Sequence, residues 1–287
     1  MDDRERGRDR GGAGPVTPGV RPALRLAGAS LAYGNRTLWS GLDLEIAPGE
    51  FVAVLGANGA GKSSLLKVVL GQQRLAAGTV EVAGRPVRRG DRRIGYVPQQ
   101  KGLEPTTPLR ARDFVRLGLD GHRWGPLLPS RRARAQVDRV LDAVGALDYA
   151  DAPVGRLSGG EQQRLRVAQS IVGDPALLLA DEPLLSLDLH HASAVSALVD
   201  ECRTRTGAAV LFVTHDVNPV LPYADRVLYL ANGRFRVGPP EQVMTSATLS
   251  DLYGSPVEVL RSNGRLLVAG GAAPSEHPHA HEHEEAS

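Results

Sequence analysis

Cysteine is nearly absent: Cys202 is the single one in 287 residues. No disulfide can close within one chain, so a disulfide-stapled secreted scaffold is excluded and the usage fits a reducing compartment. Lysine is almost as scarce, with Lys62, Lys67 and Lys101 the only ones among 34 basic residues. The positive charge is therefore arginine, spread along the chain, and the net charge is only +2. That balance argues against a nucleic-acid binder, and no nucleic-acid partner is expected. Long apolar runs are missing too. The longest, such as Ala176–Ala180 and Ala208–Val213, are strand-sized and far short of the roughly 18–20 residues of a membrane-spanning helix. The first ten residues, MDDRERGRDR, hold no apolar stretch, so no secretory leader is expected. No internal repeat is found, which points to one unit and not two in tandem.

The 42% of hydrophobic residues suffices for a buried core. Residues 1–21 are charged and then rich in Gly and Pro, and read as a disordered arm. Residues 270–287 read as a disordered, His-rich tail. The ordered body is expected over 22–269. Strands are expected at Glu50–Leu55, Ile94–Val97, Leu177–Asp181, Val210–Thr214 and Arg226–Leu230. Several are continuous apolar runs, as parallel strands buried on both faces require. Helical patterns lie between them. One follows Gly61 through Leu65, Leu66 and Val69. One is expected to start at Thr107–Pro108, an N-cap followed by proline at the first helical position. Ser130 is expected to cap a third, reaching Val144, and a fourth runs from about Gly160 to Val172. Alternating strands and helices predict an α/β domain. The stretch from about 101 to 172 reads as an inserted helical subdomain.

Gly56-Ala57-Asn58-Gly59-Ala60-Gly61-Lys62-Ser63 fits G-x-x-x-x-G-K-[ST] at every fixed position, behind an apolar strand and ahead of a helical pattern. Glycines let such a loop curl until successive N–H groups point at phosphate oxygens. The following helix adds the positive end of its dipole. Lys62 would neutralise β- and γ-phosphates, Ser63 would offer a hydroxyl to Mg²⁺, and Ser64 could reach the α-phosphate. Further on, Leu177-Leu178-Leu179-Ala180 ends in Asp181-Glu182. A carboxylate at a strand end suits Mg²⁺, a hard cation, and Asp181 is the candidate. Glu182, one residue on, could reach an attacking water as general base.

Leu157-Ser158-Gly159-Gly160-Glu161-Gln162-Gln163-Arg164 opens a helical pattern upstream of that acidic strand end. This sequence matches the signature of the ATP-binding cassette (ABC) ATPases, and the chain resembles that family from about Leu24 to Gly238. The resemblance implies a P-loop NTPase fold, with a RecA-like core and an inserted α-helical subdomain. It implies ATP and Mg²⁺ as ligands. It also implies a homodimer of cassettes, in which Ser158, Gly159 and Gly160 face the γ-phosphate held by the other subunit. Tyr33 stands where the family's adenine-stacking aromatic does. Gln99, in Tyr96-Val97-Pro98-Gln99, resembles the glutamine that touches Mg²⁺ and the attacking water and links the site to the helical subdomain. Ser186-Leu187-Asp188 resembles the family's interface loop, and His215 its switch histidine, which bonds the γ-phosphate and orients Glu182.

The resemblance further implies integral membrane permease subunits, an extracellular solute-binding protein, and a place on the cytoplasmic face of a bacterial membrane. Coupling to the permease would run through the Gln99 loop and the segment Gly102–Phe114. The stretches Asp216–Pro222, Asp225–Leu230 and Leu252–Val259 resemble the zinc and manganese uptake branch of the family. His277, His279, His281 and His283 add imidazoles that suit Zn²⁺, Ni²⁺ or Cu²⁺, although a solvated tail without a bound ion fits the composition as well. Import of another cargo such as a siderophore, and a soluble ABC ATPase of cofactor assembly, stay open at this stage.

Overall fold

A computed structural model describes residues 21–34, 36–99, 104, 106–121, 130–185 and 187–270. The strands are β1 (Leu24–Tyr33), β2 (Arg36–Ile46), β3 (Phe51–Gly56), β4 (Ala77–Val82), β5 (Arg85–Pro86), β6 (Ile94–Val97), β7 (Leu177–Asp181), β8 (Ala209–Val213), β9 (Arg226–Ala231), β10 (Arg234–Gly238), β11 (Val257–Ser262) and β12 (Arg265–Gly270). The helices are α1 (Lys62–Val69), α2 (Ala111–Asp120), α3 (Arg131–Ala143), α4 (Gly159–Ile171), α5 (Leu189–Thr206), α6 (Pro240–Val243) and α7 (Ser246–Tyr253).

The central sheet has the order β10-β9-β3-β8-β7-β6. Its pairs β9–β3, β3–β8, β8–β7 and β7–β6 are parallel, and only β10 runs antiparallel. The continuous apolar runs have a direct cause. Phe51, Ala53 and Leu55 of β3 enter one core together with Leu178, Ala180, Val210 and Phe212. The alternate residues Val52 and Val54 enter a second core with Leu177, Leu179, Leu211 and Val213. Both faces of each strand are thus dry, so no polar residue marks the alternation. The first core also takes Leu165, Val167 and Ile171 of α4 and Val195 and Val199 of α5. The second is closed by Leu65 and Leu66 of α1 and by a four-stranded antiparallel sheet, order β2-β1-β4-β5.

The five strands expected from the sequence are present, with ends displaced by at most one residue. Ser130 caps α3 as expected, its Oγ accepting from Ala133 N at 3.2 Å. The expected helix start at Thr107–Pro108 is wrong. Helix α2 begins at Ala111, with Arg110 in extended backbone as its N-cap. Residues 109–112 are instead held against 150–154: Val154 N donates to Leu109 O at 2.8 Å, Ala111 N to Ala152 O at 2.9 Å and Arg112 N to Ala150 O at 2.8 Å. Helices α2, α3 and α4 fall within the stretch read as a helical subdomain. The arm at 1–20 and the tail at 271–287, with its four histidines, lie outside the described residues.

Candidate functional site

Four loops leave neighbouring strand ends on one edge of the parallel sheet. Residues 57–61 follow β3, Gln99 follows β6, Glu182 follows β7 and His215 follows β8. This carboxyl-end edge is where open α/β sheets collect their ligands. Lateral hydrogen bonds fix the loop bases: Ala57 N donates to Leu230 O at 3.3 Å, Glu182 N to Val213 O at 3.0 Å and Thr214 N to Val54 O at 3.2 Å.

The 56–63 loop curls where glycine permits it. Gly56 has φ of 140° and Gly61 has φ of 97°. A Cβ at Gly56 would sit 1.9 Å from Leu230 O, and one at Gly61 would sit 2.8 Å from Trp39 Nε1. Helix α1 starts directly after Gly61. Lys62, its first residue, is buried at 5% exposure. Its ammonium donates to Gly56 O at 2.7 Å and to Ala57 O at 3.0 Å, closing the loop upon itself. Burial lowers the Lys62 pKa, and the charges of Glu182 and Asp181 oppose that shift.

Asp181 ends β7 facing α1. Its Oδ1 accepts from Ser63 Oγ at 3.4 Å and its Oδ2 from the Tyr96 hydroxyl at 3.3 Å. Burial raises the Asp181 pKa, while the bonds from Tyr96 and Ser63 pull it back. Tyr96 in turn is pushed up to about 12, by burial first and then by the Asp181 charge. A carboxylate and a hydroxyl oxygen side by side in a half-buried corner are the donor set a hard divalent cation takes.

Glu182 adopts φ of 47°, a left-handed conformation that disfavours residues with a side chain. Strain of this kind persists only where the surroundings impose it. Here the result is a carboxylate held from two sides: His215 Nε2 lies 2.6 Å from Oε1, and Gln99 Nε2 donates to Oε2 at 3.5 Å. Glu182 is well covered, at 13% side-chain exposure, and His215 is open at 45%. Tyr33, at the end of β1 and 45% exposed, donates from its hydroxyl to Ser64 Oγ at 3.4 Å.

The Ser158–Gly160 segment opens α4. Ser158 caps α4 in a reciprocal box: Glu161 N donates to Ser158 Oγ at 3.3 Å, and Glu161 Oε2 accepts from Ser158 N at 2.8 Å. Among the described residues, the hydrogen bonds of its side chain and N–H run to its own first turn. Asp188 caps α5, while Ser186 lies outside the described residues. Two contributors escaped the sequence reading. Tyr96 was read only as part of a glutamine-bearing stretch, and Trp39 carried no motif. No sequence signal marks Tyr96, which meets Asp181 because β6 pairs with β7.

A nucleotide-phosphate loop, a metal-ready aspartate and a held glutamate on one sheet edge define a P-loop ATPase cassette. The sequence profile described as "ABC transporter" matches residues 39–185, and the chain belongs to that family, as the subunit that hydrolyses ATP to power transport. A zinc import ATP-binding protein of Cereibacter sphaeroides is 38% identical over 221 residues, 77% of this chain and 84% of that protein. A hemin import ATP-binding protein of Streptomyces coelicolor is 36% identical over 271 residues, 91% and 94% of the two chains. A phosphonates import ATP-binding protein of Anaeromyxobacter dehalogenans is 38% identical over 298 aligned residues and 92% of this chain, which spans only 59% of that longer protein. Among solved structures, an inward-facing putative metal-chelate type ABC transporter aligns with a TM-score of 0.72 at 27% identity, over 86% of this chain and 96% of that one. Other relatives bear zinc or manganese transport names. Among the described residues no helix is long and apolar enough to cross a membrane.

Proposed function

We propose that this chain is the ATP-hydrolysing subunit of an importer for a divalent metal ion, zinc or manganese. The single observation that carries the motor reading is the convergence of Lys62, Asp181, Glu182, His215 and Gln99 on one sheet edge. ATP is the substrate, and water the acceptor of its γ-phosphoryl group. Lys62 exchanges the Gly56 and Ala57 carbonyls for phosphate oxygens. The amides from Gly56 to Ser64 surround the phosphates, and Tyr33 supports the adenine. Ser63, Asp181 and Gln99 would hold Mg²⁺, which would supply neutralisation of the phosphate charge. Glu182 orients and deprotonates the attacking water. His215 and Gln99 hold its carboxylate in place. Catalysis then consists of positioning and charge stabilisation.

Ser158, Gly159 and Gly160 complete the site of a second cassette in a homodimer. Ser158 opening α4 with a reciprocal cap, its first-turn amides at a helix N-terminus, supports that role. Permease subunits in the membrane receive the motion, and an extracellular solute-binding protein delivers the cargo. The cassette works from the cytoplasmic face of the membrane.

The relatives with zinc and manganese transport names support the metal cargo. A second reading, import of a chelated metal, is favoured by the hemin relative and the metal-chelate transporter. The deciding experiment compares total zinc, manganese and iron in wild-type host cells, a deletion strain, and the deletion carrying Glu182→Gln, all in metal-poor medium. A fall in zinc or manganese in both mutant strains is expected. A fall in iron alone would move the assignment to the chelate reading. Unchanged levels of all three, with a redundant importer also deleted, would overturn the metal cargo.

A further inference from the structure

His191 sits in the first turn of α5 and is fixed from two directions by Asp188. Oδ1 of Asp188 accepts from the His191 backbone N–H at 2.9 Å, and Oδ2 contacts the ring Nδ1 at 2.8 Å. The opposite edge of the ring is turned toward α4. A Cβ built at Gly160 would lie 3.1 Å from His191 Cδ2 and 3.6 Å from Nε2. The imidazole therefore lies close over the face of Gly160 from which a side chain would project. After Glu182, Leu185 N donates to Glu182 O at 3.1 Å and Leu187 N to Leu184 O at 3.1 Å. Asp188, at the end of that segment, caps α5 and holds the His191 ring that meets Gly160.

We propose that His191 is a positioning residue for ATP hydrolysis: locked by Asp188, its ring braces Gly160 and sets where the start of α4 stands relative to the segment leaving Glu182. The inference rests on the reading of Ser158–Gly160 as the face offered to a nucleotide held by a second cassette. His191 acts by shape and not by charge, because the atom nearest the Gly160 position is a ring carbon. Half of its side chain is solvent-exposed, at 53%, so the fold does not depend on it. A displaced α4 start would misplace a phosphate contact, and a misplacement of an ångström lowers rates steeply.

The test is steady-state hydrolysis by the full-length protein. His191→Ala removes both the bond to Asp188 and the brace; kcat is expected to fall about tenfold, with Tm and the binding of a fluorescent ATP analogue unchanged. His191→Asn places an amide nitrogen where Nδ1 was and an oxygen where Cδ2 was, so it is expected to restore most of the rate. His191→Ala turning over at the wild-type rate overturns the proposal. So does a Tm that falls in step with the rate, which would make the residue merely structural, and so does an asparagine variant that fails to rescue. Ser158→Arg is measured beside them. Wild-type hydrolysis by that variant would remove the underlying reading of the α4 start, an outcome distinct from failure of the histidine variants.

Discussion

His215 Nε2 lies 2.6 Å from Glu182 Oε1, so the imidazole and the carboxylate form one unit across the ends of β8 and β7. Glutamine at 182 keeps the shape and removes the basicity. Glu182→Gln is expected to lower phosphate release at least about 100-fold, the range a general base commonly supplies, while ATP binding persists. The ATP-bound variant should also accumulate as a dimer in size-exclusion chromatography. Hydrolysis at the wild-type rate would refute the assignment of Glu182 as base.

Gly56 has no room for a side chain. Its φ of 140° lies outside the range of L-residues, and its missing Cβ would sit 1.9 Å from a backbone oxygen of β9. Because Leu230 O is sheet backbone, nothing can move aside cheaply. Gly56→Ala is expected to destabilise the fold by roughly 3 kcal/mol or more, read as a lower urea midpoint, with hydrolysis lost even in the folded fraction. An unchanged midpoint would mean that the β3–β9 edge is softer than the packing implies. Gly34, also at positive φ but with open space around it, serves as the control position.

What the sequence made legible follows from the physics of each layer. The parallel strands show themselves because both faces are dry, and the phosphate loop and strand-end acids because their chemistry tolerates few substitutes. The antiparallel sheet was missed. In β1, Leu24 and Leu26 are buried, then Ala29 and Leu31, with irregular pairing between. The irregularity shifts the inward positions by one, so the period-two signal cancels along the strand. The hairpin β11–β12 was missed because its alternation is weak: Leu260 and Leu267 are exposed at 46% and 59%. At the site, only the family resemblance linked His215 to Glu182; the residues' own patterns marked Glu182 at a strand end and left His215 a lone histidine after another strand. Their contact depends on β7 pairing with β8, information that no local pattern carries.

Asp91 and Arg93 form a second test, of stability. Asp91 Oδ1 accepts from Arg93 N at 3.0 Å and Nε at 2.8 Å, and Arg93 Nη2 pairs with Oδ2 and also donates to Pro86 O at 3.1 Å. The pair thus pins the β4–β5 turn to the start of β6. The hydrogen bonds from Arg93 hold the Asp91 carboxyl below its ordinary value of 3.8. A depressed folded-state pKa contributes stability that is complete above the ordinary value and is lost as pH falls through the folded one. Asp91→Asn is expected to lose about 2 kcal/mol at pH 7, and the gap to wild type should narrow as the pH drops toward 3. Urea unfolding at both pH values measures it; a gap that widens in acid would contradict the sign.

Cys202 offers a probe of how tightly α5 is packed. It is 1% exposed, and burial pushes its thiol up to about 11, with the nearby Arg205 pulling weakly the other way. The thiolate is the reactive form, so at pH 8 the pKa alone should slow modification roughly 100-fold relative to an ordinary thiol, and burial slows it further. Dithionitrobenzoate is therefore expected to titrate no thiol in the native protein over minutes and the single Cys202 after unfolding in guanidinium. Adding ATP should leave the native protein equally unreactive, because Cys202 faces the core shared with α4 and the sheet and not the nucleotide edge. Prompt labelling of the native chain would show that α5 opens locally, and protection restored by ATP would tie that opening to the catalytic cycle.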